Sequence, residues 1–102
     1  MLNDRFLNTL GLCLKAGRLS IGHDASKISI KTNKAQLCIL CSDASPRLKK
    51  EFMNMGFENT VETEYTMKDI KSAINTASAV LTVNDSGFAK IFDGILRGGA
   101  NI

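Results

Sequence analysis

Two short, nearly continuous apolar runs constrain this chain more than any other feature. Residues 36–41 (Gln-Leu-Cys-Ile-Leu-Cys) and 79–83 (Ala-Val-Leu-Thr-Val) are brief, apolar and bounded by polar residues. Such runs read as strands covered on both faces. A weaker, more exposed strand is expected at Thr60–Thr63, and a short extended piece at Arg18–Ile21. The spacing of Leu2, Phe6, Leu7, Leu10, Cys13 and Leu14 predicts an amphipathic helix over 3–16, stopped by Gly17. Gly22 releases the chain into a helix over 23–32, with Ala25, Ile28 and Ser29 expected to turn inward. Ser45-Pro46 opens a helix over 46–55 that ends near Gly56. Thr66 and Asp69 have the spacing of a capping box for a helix over 67–75. Asp85 is expected to cap a last helix whose apolar side is Phe88, Ala89, Ile91, Phe92 and Ile95. Strands separated by single helices define an α/β fold. The expected arrangement is a three-layer α-β-α sandwich around a small, mainly four-stranded mixed sheet.

At 102 residues the chain is long enough for one domain, and a domain of this size buries about two thirds of its unfolded surface. Nearly every apolar segment must therefore serve one core. With one core accounting for the apolar pattern, residues 1–102 read as a single, monomeric, ribosomal-type domain with a loose tail from about 98. No window reaches 18 uncharged apolar residues and no signal segment is visible, so no membrane association and a cytoplasmic location are expected.

Charge is distributed unevenly. From Lys15 to Lys50, eight basic residues (Lys15, Arg18, Lys27, Lys31, Lys34, Arg47, Lys49 and Lys50) face only Asp24 and Asp43, whereas the remainder of the chain is net acidic. A chain polarised in this way can turn one positive side toward a polyanion.

Enzymatic and metal chemistry find little footing. Cys38 and Cys41 have Cys-x-x-Cys spacing, but an offset of three within a strand puts side chains on opposite faces. No second pair follows and His23 is the only histidine, so no metal and no cofactor are expected. There is no Gly-x-Ser-x-Gly elbow, no phosphate-binding loop with Lys and no dinucleotide fingerprint. Ser42 and Asp43 beside a strand end read as caps rather than as triad partners of His23.

The Gly22 segment carries more information. A glycine there permits a turn that a side chain would hinder, and the helix behind it offers free N–H groups to a phosphate or a base edge. Lys27 and Lys31, one turn apart, extend such a site. Asp24 opposes phosphate but can accept hydrogen bonds from a guanine. The plainer role for Asp24 is to stabilise the first turn of its helix.

Three stretches, Leu12–Gly22, Ala35–Ser45 and Asn84–Lys90, carry a likeness through their order and spacing. Together they resemble the bacterial YlxQ-like branch of the kink-turn-binding ribosomal protein family, whose archaeal member is large-subunit protein seven-Ae. The similarity runs from about Phe6 to Phe92. It implies the same sandwich and, as in the best-known relatives, recognition of the kink-turn of structured RNA. In those relatives a Gly-x-Asn-Glu-x-x-Lys segment opens the second helix and reads tandem sheared G·A pairs. Here the segment is Gly22-His23-Asp24-Ala25-Ser26-Lys27-Ile28. Gly22 is kept, Asp24 stands for Asn, Ala25 for Glu and Ile28 for Lys. Lys27 stands one place early, about 100° around the helix. A second family surface, where small apolar residues pack on a flipped nucleotide, corresponds to Ile74, Asn75, Thr76, Ala77 and Ser78. Lys71 replaces a family glycine shortly before it.

The expected function is therefore non-enzymatic binding of a structured RNA, kink-turn-like or ribosomal. The residues expected to carry it are Gly22, His23, Asp24, Lys27, Lys31 and Lys34, with Ile74, Asn75, Thr76 and Ala77. The alternative is a protein-interaction or adaptor domain on the same fold, with a ribosomal or other protein as partner. An exposed apolar patch near Met53, Met55 and Phe57 would mark it.

Overall fold

The computed structural model describes residues 4–98. Five helices and four strands alternate: α1 (Arg5–Lys15), β1 (Leu19–Ile21), α2 (His23–Lys31), β2 (Leu37–Leu40), α3 (Pro46–Met53), β3 (Thr60–Glu62), α4 (Met67–Ile74), β4 (Val80–Val83) and α5 (Ser86–Asp93). A π-helical turn, Gly94–Gly98, extends α5. Residues 99–102 of the expected loose tail, and Leu2, lie outside the described residues.

Local signals explain most boundaries. Asp4, Ser45, Thr66 and Asp85 each accept a hydrogen bond from the first turn of the following helix. At α4 the capping box is complete, with Asp69 accepting from the Thr66 backbone N–H at 2.9 Å. Gly17 and Gly56, behind α1 and α3, have φ of 72° and 81°.

The sheet is mixed, in the order β1-β4-β2-β3. β4 runs antiparallel to both neighbours, pairing Val83 with Leu19 on one side and with Leu37 on the other. β3 lies parallel to β2 at the edge, with Ile39 opposite Val61. Both apolar runs thus occupy the centre, and all residues of β2 and β4 are buried.

Alternation sends successive side chains to different layers. Leu37, Ile39, Leu81 and Val83 pack beneath Phe6 and Leu10 of α1, Ile70 of α4 and Phe92 of α5. Cys38, Leu40 and Val80 pack beneath Phe52 of α3, with Ile30, Leu48, Met55 and Phe57 around them. Each fully buried phenylalanine or leucine here contributes about 1.5–3 kcal/mol. Cys41 joins the first layer and Cys38 the second, and both are free thiols, as is Cys13.

The inward face of α2 includes Ser29 as expected, but not Ile28. Ser26 and Ser29 are buried, Ala25 is half-buried, and Ile28 is 61% exposed. Small polar side chains hold this short helix close to the sheet. Ser29 Oγ lies 2.7 Å from Ser20 Oγ of β1, which also accepts from Asn84 Nδ2 at 2.9 Å. Leu14 and Ile91, also expected inward, are exposed at the margins of their helices.

Candidate nucleic-acid interface

The backbone enters α2 through Gly22, at φ 100° and ψ 173°. Its N–H donates to Val80 O at 3.0 Å, which pins the turn to the start of β4. Its carbonyl accepts from Ser26 N at 3.0 Å. No side chain among the described residues caps the first turn of α2, in contrast to the other four helices. The leading N–H groups of His23, Asp24 and Ala25 therefore face the surface with the positive end of the helix dipole.

The side chains of this turn divide into two sides. On the α3 side, Glu51 holds a small charged cluster. His23 Nε2 lies 2.9 Å from Glu51 Oε1, and Lys27 Nζ donates to Glu51 Oε2 at 3.0 Å. His23 Nδ1 lies 3.1 Å from Asp24 Oδ1. The hydrogen bond to Glu51, then that to Asp24, raises the His23 pKa above its ordinary value. The hydrogen bond from His23, then that from Lys27, lowers the Glu51 pKa. The imidazole edge also rests on the Phe52 ring, with centroids 5.6 Å apart. On the outer side, the Asp24 carboxylate is 97% exposed and Ile28 follows one turn later. Glu51 carried no recognisable sequence signal, since it lies 28 and 24 residues from His23 and Lys27.

The loop before β4 reaches the same end of the sheet. Asn75 closes α4 in the left-handed region at φ 62°, and Thr76 and Ala77 are exposed. Ser78 is buried and its hydroxyl donates to Val80 O at 2.7 Å. Val80 O is thus shared by this loop and the Gly22 turn. Ile74 departs from its assigned place: it is 6% exposed and packs into the core beneath α4, because the apolar end of the helix turns inward before the loop begins.

Lys31 and Lys34 are exposed at the far end of α2. Nine helical residues at 1.5 Å each put them about 14 Å from the Gly22 turn. The basic residues from Lys27 to Lys34 therefore run along the helix instead of clustering at its start. The apolar patch considered near α3 is broken up: Met55 and Phe57 pack against Phe52, and Met53 alone stands exposed. Among the described residues no group of His, Cys, Asp and Glu is arranged to hold a metal, and no helix is long and apolar enough to cross a membrane.

A mixed four-stranded sheet between helical layers, with one helix entering uncapped beside an exposed loop, defines a small α/β protein. The chain belongs to the ribosomal protein L7Ae/L30e/S12e/Gadd45 family, whose pattern matches residues 4–92. Among its relatives is the RNA-binding protein YlxQ of Enterococcus faecium, 27% identical over 94 residues that cover 90% of this chain and 91% of that one. A Bacillus halodurans C protein of unknown function shares the fold, with a TM-score of 0.83 at 24% identity. That match covers 89% of this chain and 95% of the other.

Proposed function

We propose that this protein is a non-enzymatic, cytoplasmic RNA-binding domain that works as a monomer and takes a kink-turn-like or ribosomal RNA at the Gly22 end of its sheet. The observation that carries the reading is the uncapped start of α2. It lies where kink-turn-binding relatives carry their Gly-x-Asn-Glu-x-x-Lys segment, and its free N–H groups suit a phosphate or base edge. Membership of a ribosomal protein family, and a relative named for RNA binding, support it. In this reading Gly22 and His23 supply the turn. Asp24 accepts from a guanine edge, and Asn75, Thr76 and Ala77 lie against the displaced nucleotide. Ala25 and Ile28 remove two polar contacts of the kink-turn binders, so Asp24 bears more of the selectivity.

The test is binding of a kink-turn RNA beside a duplex of matched length. Preference for the kink is expected, and Asp24→Ala should reduce that preference with little change in duplex affinity. Good hydrogen-bonded base contacts are worth about 1–3 kcal/mol of discrimination. Equal affinity for kink and duplex, unaltered by Asp24→Ala, would exclude the kink-turn. Binding that resists salt and requires a protein partner would favour the adaptor role instead.

A further inference from the structure

We propose that the opposite end of the sheet holds a second RNA contact, a cationic notch that receives a phosphodiester of a strand running along α2. The proposal rests on the RNA-binding reading above but not on the kink-turn. The notch is lined by Gly17, Arg18, Asn33, Lys34, Gln36 and Asn84. It lies between the turn after α1 and the turn after α2, where β4 ends. No carboxylate among the described residues pairs with Arg18 or Lys34, whereas Lys27, Lys49 and Arg97 are each held by one. Lys15 and Lys31, both exposed, close the two helices that lead to it.

Two helix C-termini converge here, and their free carbonyls would ordinarily repel an anion. The turns satisfy several of those carbonyls. Gly17 N and Arg18 N donate to Leu14 O and Cys13 O at 2.9 and 3.0 Å. Lys34 N and Ala35 N both donate to Ser29 O, at 2.9 and 3.0 Å, after Asn33 has turned the chain at φ 63°. The walls are fixed as well: Asn84 N donates to Arg18 O and Gln36 N to Val83 O, each at 2.8 Å. Asp85, the adjoining acidic residue, is engaged with Phe88 N at 2.9 Å as the cap of α5. Asn84 Nδ2 is engaged with Ser20 Oγ, so what remains for a ligand is a guanidinium, an ammonium and the side-chain amides of Asn33 and Gln36 in a concave frame. An arginine fork with a lysine beside it suits a phosphate group. The separation of about 14 Å from the Gly22 turn lets one RNA strand lie along α2 and meet both ends.

The test measures RNA binding by anisotropy over a salt series for the full chain, for Arg18→Ala with Lys34→Ala, and for Arg47→Ala with Lys50→Ala. The second pair removes the same charge from the exposed side of α3. The notch variant should bind at least about tenfold more weakly, with a salt slope shallower by about one to two. The control should lose far less. Equal losses in the two double variants would overturn the notch. Preference for kink over duplex should survive in the notch variant, so failure of the kink-turn reading shows separately, in the Asp24→Ala comparison. Inorganic phosphate matched to the phosphate content of the RNA should not displace it; displacement would mark a free-phosphate site and overturn the RNA assignment. Absence of RNA binding by the full chain at low salt would overturn both readings.

Discussion

Glu51 shows how much of a site can depend on one residue that local pattern does not reveal. It draws His23 and Lys27 toward α3 and spends part of the positive charge that the basic stretch would otherwise offer to RNA. The pair also makes stability depend on pH. His23 is shifted upward by Glu51 and then Asp24, so its contribution is complete below its ordinary value of 6.5 and fades as pH rises through the folded value. Glu51 is shifted downward by His23 and then Lys27, so its contribution is complete above its ordinary value of 4.5 and fades as pH falls through the folded value. The two overlap fully between 4.5 and 6.5. Glu51→Gln should therefore lower the melting temperature more at about pH 5.5 than at about pH 8.5, where less of the His23 charge remains, although a neutral imidazole can still donate one hydrogen bond to Glu51 and the Lys27 contact persists. The effect should be small, because the groups are partly exposed and solvent screens them. Thermal melts at the two pH values decide it, and an equal or larger loss at the higher pH contradicts the cluster.

Among the elements, α2 departs most from what its sequence announces. The other helices open on Asp4, Ser45, Thr66 and Asp85, and the last three are legible because a cap acts on residues two or three places away. Ser29 turns inward as its spacing predicts, but Ile28 does not, because apolar periodicity assumes an apolar contact. Here Ser20, Ser29 and Asn84 make a polar one, and Ile28 is left outside. Gly22 was legible as a turn, though its φ of 100° and ψ of 173° belong to a region that is essentially glycine's alone. A Cβ added there meets nothing within 4 Å, so Gly22→Ala tests backbone strain without a clash. It should cost about 1–3 kcal/mol, read as a lower denaturant midpoint with an unchanged slope. A loss below about 0.5 kcal/mol would mean that the turn relaxes into an ordinary conformation.

At the scale of the molecule, the central place of β2 and β4 was legible in their apolar runs, but the order β1-β4-β2-β3 was not. Leu19 pairs with Val83 across most of the chain, and only packing of the finished layers selects that partner. The same limit hid the division of the basic section into two ends of α2, since charge read along a sequence does not say which residues meet. The opposite faces of Cys38 and Cys41, by contrast, were legible from strand spacing, and with Cys13 of α1 these thiols report on whether the two layers behave as one unit. Cys13 and Cys41 lie in the layer beneath α1 and α4, and Cys38 in the layer beneath α3. Burial, reinforced by Asp85, pushes the Cys13 thiol up to about 11. Burial also raises Cys38 to about 11, and burial with Asp43 raises Cys41 to about 12. At about pH 8 all three are protonated as well as enclosed, and the thiolate is the reactive form. A thiol reagent should therefore leave the native protein unlabelled. In rising denaturant all three thiols should become reactive together, at the midpoint seen by circular dichroism, because both layers share the strands β2 and β4. Earlier labelling of Cys38 would show that the α2–α3 layer opens by itself, and that the long axis of the proposed RNA surface belongs to a separately unfolding unit.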